Sequence, residues 1–140
     1  MPEVTLPLTG GCNCGAVRFE ISEPLLGALY CHCRRCQRRT GTAAAASAGA
    51  KPGTFRIVSG EDRIRRWNAG DGADKDFCEV CGSALFAQNP QQRDAIFIRM
   101  GLFDGDPGVR PGCRQHTASA AAWEPVPDDG LTRFPGRIGE

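Results

Sequence analysis

The chain contains 140 residues, eight of them cysteines, and carries a formal net charge of +1 at pH 7. This length suits one domain with a modest core, and the charge argues against a domain-wide positive field for nucleic acid or membranes. We expect neither a signal peptide nor a membrane span, because no charged start precedes an apolar run and no run approaches about 18 apolar residues. We therefore predict a cytoplasmic protein, where reduced cysteines more often bind metal than form disulfides.

The first pair of cysteines precedes a predicted strand. Residues 16–21 alternate apolar and polar side chains, as a half-buried strand does. Cys12 and Cys14 stand just before them, on a turn flanked by glycines. The sequence thus places two thiols at the start of a strand.

Three cysteines follow the apolar run 25–30 in a C-x-C-x-x-C spacing. If residues 31–33 are extended, Cys31 and Cys33 share one face and His32 points the other way. A tight turn would then bring Cys36 back to the first two sulfurs. Three thiolates supply most of a tetrahedral zinc site and leave one position open. The alternative is that a fourth cysteine closes the site and the metal only stabilises the fold.

The next segment predicts a short helix and a strand of small residues. Residues 34–39 can form one helical turn that ends at Gly41. The alanine-rich residues 43–48 favour helix by propensity, but glycines on both sides leave little room for one. We predict instead a strand whose small side chains line a close-packed or ligand-facing surface.

The middle of the chain predicts a hairpin and a zinc knuckle. Residues 54–58 and 63–67 alternate around a turn-rich linker, which favours a hairpin, and residues 68–76 read as a loop. Cys78 and Cys81 follow in a C-x-x-C-G turn, whose glycine permits a positive φ so that backbone N–H groups can face the sulfurs. A short strand is predicted at 84–87.

The last third of the chain is also strand-like. Residues 95–100 predict a buried strand, 104–112 a loop, and 116–123 a further strand. The proline-containing tail from residue 125 predicts irregular structure. The short strands and frequent turns together predict a mainly β fold.

The cysteines divide most simply into a tetrad and a trio. Two pairs from distant segments would close one tetrahedral site, whose role would be structural. Three adjacent cysteines would hold a second zinc, which gives two zincs per chain. The tetrad is Cys12, Cys14, Cys78 and Cys81, and the trio is Cys31, Cys33 and Cys36. Cys113 remains, either as a small buried side chain or as a fourth ligand of the trio.

Three motifs carry a resemblance to a known family. They are GGCNCGAVRF at 10–19, CHCRRCQRRTG at 31–41 and FCEVCGS at 77–83. In order and spacing they resemble the glutathione-dependent formaldehyde-activating enzyme family, which also includes centromere protein V. The resemblance implies an Mss4-like fold of short antiparallel strands, a structural zinc on the tetrad and a more labile zinc on the trio. It also implies carbon–sulfur lyase activity.

The trio suits thiol chemistry better than water activation. Hydrolytic zinc sites usually use histidine or carboxylate ligands, and three thiolates should leave zinc a poorer Lewis acid. Binding and deprotonating an incoming thiol is then the natural role. We predict that Cys31, Cys33 and Cys36 form an open catalytic site for a small thiol, such as glutathione, which adds to formaldehyde, or for a related thiol.

The polar residues around these motifs have less specific roles. Four arginines within 34–39 could offset the charge of the trio and attract carboxylates, or could form a solvated basic turn. We expect His32 to make a structural hydrogen bond and Glu79 to be solvated. His116 is a remote candidate for the proton donor.

A non-catalytic module with two zincs that binds nucleic acid or protein is the alternative function. The basic runs 34–39 and 63–66 favour it. The near-neutral charge, together with one Tyr and two Trp for base stacking, argues against nucleic acid as a partner.

Overall fold

A computed structural model describes residues 4–68, 70 and 72–140. Short β-strands dominate these residues, with one α-helix and three 3₁₀ turns, so the predicted mainly β fold is confirmed. The elements are β1 (Leu8–Gly11), β2 (Arg18–Ile21), β3 (Gly27–Cys31), α1 (Arg34–Thr40), β4 (Ala45–Ala50), β5 (Phe55–Ser59), β6 (Ile64–Trp67), β7 (Asp74–Cys78), β8 (Ala84–Asn89), β9 (Gln92–Arg99), β10 (Pro111–Gln115) and β11 (Thr132–Arg133).

The strands form two sheets that share one core. The small sheet has the order β1-β2-β5, and the large sheet the order β11-β10-β3-β4-β9-β8-β7-β6. Phe19 on β2 packs its ring against Phe55, Phe86 and Phe103, with centroid separations of 5.5–5.6 Å. These edge and stacked ring contacts join the two sheets and bury large apolar areas.

Most strand pairs are antiparallel, as predicted, but β10 runs parallel to both of its neighbours, β3 and β11. Antiparallel strands can be joined by a tight hairpin, whereas parallel ones need a longer connection. β10 and β11 are joined by residues 116–131, which include the 3₁₀ turn Thr117–Ser119 and supply that length.

The predicted hairpin of 54–58 with 63–67 is wrong. β5 pairs with β2 in the small sheet, whereas β6 pairs with β7 in the large one. Between them, Gly60 adopts φ 82° and lies against the backbone of Ala16, where a Cβ would be 1.9 Å from the carbonyl oxygen. This close approach lets the chain leave one sheet for the other.

The predicted loop 68–76 ends earlier than expected, because β7 begins at Asp74. Residues 69 and 71 of that segment lie outside the described residues. Asp74 and Asp76 are buried and form ion pairs with Arg93 and Arg66. Carboxylates that form ion pairs can be buried within a strand, whereas unpaired ones rarely are. The polar composition of this segment therefore indicated a loop where the structure has a strand.

The predicted strand 116–123 is also wrong. The strand lies just before it, at Pro111–Gln115, and includes part of the predicted loop 104–112. His116 then adopts the left-handed φ of 57°, which ends the strand, and Thr117–Ser119 form a 3₁₀ turn. The tail, predicted irregular, contributes the two-residue strand β11 beside β10.

The prediction of a strand of small side chains is confirmed by β4. It lies between β3 and β9 in the large sheet, and Ala48 and Ala50 on one face belong to the core. Ala45, Ser47 and Gly49 lie on the opposite face. The predicted helical turn is α1, which ends at Gly41 with φ 67°. No helix among the described residues is long and apolar enough to cross a membrane.

Candidate metal centres

The tetrad joins two turns that are more than sixty residues apart in sequence. The sulfurs of Cys12, Cys14, Cys78 and Cys81 all lie within 4.8 Å of one another. The Cys12 and Cys14 sulfurs are 3.6 Å apart, and those of Cys14 and Cys78 are 3.9 Å apart. The four thiols therefore lie close together in space, as predicted.

Backbone and hydroxyl groups surround the tetrad sulfurs. The N–H of Val17 donates to the Cys12 sulfur at 3.2 Å, and the Ser83 hydroxyl lies 3.2 Å from the Cys81 sulfur. Gly82 takes φ 78°, as the C-x-x-C-G turn predicts, and donates its N–H to the Cys78 carbonyl rather than to a sulfur. Hydrogen bonds from Ser83 lower the pKa of Cys81 to about 5. Such contacts favour thiolates.

The trio is built by the end of one strand and the start of one helix. Cys31 ends β3, Cys33 is the N-cap of α1, and Cys36 lies in its first turn. The backbone N–H of Cys36 donates to the Cys33 sulfur at 3.3 Å. All three sulfurs lie within 4.8 Å of one another, so the C-x-C-x-x-C segment converges as predicted.

The three thiols compete for negative charge. Hydrogen bonds from Cys31 and Cys36 lower the pKa of Cys33, whereas hydrogen bonds with Cys31 and Cys33 raise the pKa of Cys36. The pKa of Cys31 is also raised, chiefly by its hydrogen bond with Cys33. One thiolate is thus stabilised by two thiols, and three thiolates together would need a cation.

Both groups fit zinc by their donor chemistry. Zinc binds thiolates at about 2.3 Å in a tetrahedron, which places sulfurs about 3.8 Å apart. The separations of 3.6 and 3.9 Å in the tetrad agree with that spacing. The tetrad offers four sulfurs and the trio three, so both clusters could hold a metal ion.

Cys113 lies apart from the trio. It is buried on β10, opposite Thr132 of β11, and is absent from both cysteine groups found within the described chain. Of the two alternatives from the sequence, the geometry favours a small buried side chain.

A buried glutamine, missed in the sequence, braces the trio. Gln37 is 5% exposed, and its Nε2 donates to the carbonyls of His32 and Ser119 at 2.8 and 2.9 Å. Arg34 donates in turn to the Gln37 Oε1 at 2.6 Å. Because His32 lies between two of the cysteines, Gln37 fixes the loop that carries them. A polar residue one position after the last cysteine was the only sequence signal.

His32 makes the structural hydrogen bond that was predicted. Its ring is buried, and its Nε2 lies 3.2 Å from the Arg114 guanidinium, which also donates to Asp129 at 2.7 Å. Burial lowers the pKa of His32, and the positive charges of Arg114 and Arg133 lower it further. The imidazole is therefore neutral, and its Nε2 accepts a hydrogen bond from the Arg114 guanidinium rather than supplying a proton to the trio.

The charged residues near the motifs have different environments. Glu79 is exposed, as expected, and forms surface ion pairs with Arg63 and Arg65. The arginines of α1 do not share one environment: the Arg38 side chain is exposed, whereas Arg39 is half-buried with its guanidinium 5.8 Å from the Phe77 ring centroid.

Comparison with known proteins gives one matching family. The family model described as glutathione-dependent formaldehyde-activating enzyme matches residues 7–123, which include all eight cysteines. A Halomonas elongata protein provisionally named as such an enzyme is 28% identical over 105 residues, covering 71% of this chain and 67% of that protein. An uncharacterized lyase of Schizosaccharomyces pombe is 29% identical over 99 residues, covering 69% and 68%.

A solved structure resembles the fold as a whole. The crystal structure of a Rhodobacter sphaeroides protein matches with a TM-score of 0.59 and 25% sequence identity, covering 90% of this chain and 98% of that one. Its description names no activity, so the likeness bears on architecture.

Proposed function

Since the chain belongs to the glutathione-dependent formaldehyde-activating enzyme family, we propose that it is a carbon–sulfur lyase that interconverts a thiol and formaldehyde with their S-hydroxymethyl adduct. Glutathione is the proposed thiol, and S-hydroxymethylglutathione the product. The observation that carries the proposal is the convergence of three sulfurs in the trio. A tetrahedral metal bound there would have one position left for a fourth ligand.

The two cysteine groups have different roles in this proposal. Cys12, Cys14, Cys78 and Cys81 hold a structural zinc, because four thiolates complete its coordination. Cys31, Cys33 and Cys36 hold a second zinc whose remaining position takes the substrate. When bound, that metal would keep the incoming thiol as a thiolate at neutral pH.

The chain's own residues position the trio. The N–H of Cys36 supports the Cys33 sulfur, and Gln37 holds the backbone between Cys31 and Cys33. In the overall reaction the thiol sulfur bonds to the carbonyl carbon, and the thiol proton ends on the carbonyl oxygen. No redox step is involved.

Exchange NMR tests this proposal. Glutathione and ¹³C-formaldehyde at equilibrium should interconvert with their adduct faster in proportion to added protein. Cys33→Ser should abolish that acceleration, and Cys113→Ala, outside both cysteine groups, should keep it. Protein that contains two zincs but leaves the exchange rate unchanged would contradict the proposal and favour a non-catalytic binding module.

A further inference from the structure

The face of the large sheet that carries the trio also carries a group of basic side chains. Cross-strand partners share a face, so the strand register traces this surface. Cys31 pairs with Ala45, and Ser47, two residues along, pairs with Arg99. On the same face, Ala87 of β8 pairs with both Phe97 and Lys75.

Helix α1 brings a further cation over this face. Arg39 places its guanidinium 5.8 Å from the ring centroid of Phe77, which lies two residues beyond Lys75 on the same side of β7. We define Arg39, Lys75 and Arg99 as the cationic cluster. It lies beside the trio, because Cys36 and Arg39 are three residues apart on α1 and therefore share one side of the helix.

The cations of the cluster are half-buried, and carboxylates usually pair with buried cations. Within the described part of the chain, Arg39, Lys75 and Arg99 form no ion pair; Lys75 donates to the Ala73 carbonyl and Arg99 to the Ser47 hydroxyl. The buried Nε of Arg39 has no hydrogen-bond partner there. On the opposite face of β7 the contrast is clear, since Arg66 and Arg93 are paired with carboxylates.

The three positive charges repel one another at close range. Burial lowers the pKa of Lys75, and the charges of Arg99, Arg35 and Arg39 lower it further, although Cys36 opposes them. Burial likewise lowers the pKa of Arg39, and Arg99 adds to that effect, while Asp76 and Cys36 oppose it. An arrangement of this kind is destabilising in the free protein and becomes favourable when an anion binds.

Small residues of β4 lie on the same face of the sheet as the cluster. Ala45, Ser47 and Gly49 present small side chains, and an apolar groove of about 400 Å³ continues from Ser47 past Leu29 and Phe97. Ala45 and Ser47 are buried, whereas Gly49 lines the groove. Of the two surfaces that the sequence predicted for the small residues of β4, burial favours the close-packed one at Ala45 and Ser47.

We propose that Arg39, Lys75 and Arg99 form a carboxylate subsite for the thiol substrate of the trio. This inference rests on the proposed function and narrows its substrate class to acidic, peptide-like thiols, of which glutathione with its two carboxylates is one. Charge-assisted hydrogen bonds from arginine and lysine are the strong contacts for such groups. Amine-bearing or neutral thiols lack the matching charge.

S-methylglutathione tests the subsite without the thiol chemistry, because its sulfur cannot bind as a thiolate. Its affinity for the zinc-loaded protein can be measured by calorimetry, beside that of its diethyl ester. We expect Lys75→Gln and Arg99→Gln each to weaken S-methylglutathione about tenfold, and the diester to bind poorly to every variant. Lys51→Gln is the matched control, since it removes the same charge at the turn after β4 and should leave the affinity unchanged.

The outcomes separate the subsite from the proposed function. If S-methylglutathione binds equally to all variants, or not at all, the carboxylate subsite is overturned. If thiols perturb the trio's metal regardless of their carboxylates, the reaction stands and the subsite falls. If S-methylglutathione binds as expected while glutathione never perturbs the metal, the subsite stands and the thiol chemistry falls.

Discussion

Both cysteine groups consist of thiol sulfurs, but the tetrad takes them from distant segments and the trio from adjacent residues. The tetrad takes two cysteines from a turn before β2 and two from a turn after β7, so a metal there ties distant segments together. The trio takes all its sulfurs from six consecutive residues at the junction of β3 and α1. A metal in the tetrad would hold distant parts of the fold together, whereas a metal in the trio would hold only a local loop.

This difference separates stability from function. Closing a long loop restricts the unfolded chain more than closing a short one, by about 0.6 kcal/mol for each doubling of loop length. The trio gains correspondingly less by loop closure, and its loop is already held by Gln37 and the α1 backbone. Such a site can exchange a ligand without unfolding the protein. Substitutions in the tetrad and in the trio can test this difference.

The largest effect is expected in the tetrad. A structural zinc contributes roughly 10–16 kcal/mol of apparent binding energy, comparable to the about 5–15 kcal/mol that stabilises a small domain. Cys14→Ser and Cys81→Ser should therefore give unfolded or insoluble protein, as measured by circular dichroism and soluble yield. Folded variants with a normal melting temperature would show that the tetrad does not support the fold.

The matched change in the trio should leave the fold intact. In Cys33→Ser the hydroxyl can still cap α1, since serine is among the best N-cap residues. The protein should fold, contain one zinc instead of two, and lose the exchange activity. Elemental analysis and thermal unfolding measure both properties. Misfolding as severe as that of Cys14→Ser would make the trio structural as well.

The two metals should also differ in how readily they leave. A mild chelator should remove one zinc per chain quickly and the other slowly, because the trio's zinc is bound by only three sulfurs of the chain. A time course of zinc release, followed with a colorimetric chelator, measures this. A single release phase for both zincs would erase the distinction between the sites.

Removing the brace of the trio should have a smaller effect. Gln37→Glu keeps the size of the side chain and its acceptor for Arg34, but removes the two N–H donations to His32 and Ser119. Loss of such outer contacts typically weakens metal binding 10–100-fold. We expect faster release of one zinc only, measured by the same chelator assay. Arg38→Ala, an exposed change on the same helix, is the control and should not alter release.

The cysteine groups could be predicted from the sequence because their geometry is local. The spacing of Cys31, Cys33 and Cys36 requires one extended residue and one turn, and Gly82 marks the turn that aims the second pair of the tetrad. The pairing of two distant turns in the tetrad followed from dividing the eight cysteines between two sites. Local spacing and the number of cysteines were therefore sufficient to predict both groups.

Strand partners and the cationic cluster could not be predicted in this way. Alternation identifies β5 and β6 as strands, but it does not say that they belong to different sheets. Buried ion pairs at Asp74 and Asp76 gave a strand where composition indicated a loop. Lys75 and Arg99 come to one face of the sheet only through the register of two strand pairs, β7 with β8 and β8 with β9, which no local pattern reveals.

The smallest effect is expected at Cys113, the thiol outside both groups. As a small buried side chain on β10, its replacement in Cys113→Ala should cost at most about 2 kcal/mol and leave zinc content at two. Glutathione should still perturb the second site, because the position it needs is unchanged. Cobalt substitution makes this visible through the thiolate charge-transfer band.

The cobalt experiment also bears on the comparison of the two groups. If Cys113 completed the trio, the parent protein would hold two closed sites and ignore glutathione, while Cys113→Ala would open one site and respond. If the trio is open in the parent, both proteins respond alike. We expect the second result, since the Cys113 sulfur is absent from the trio within the described residues. A silent parent beside a responsive variant would make both sites structural and remove the basis for thiol chemistry at the trio.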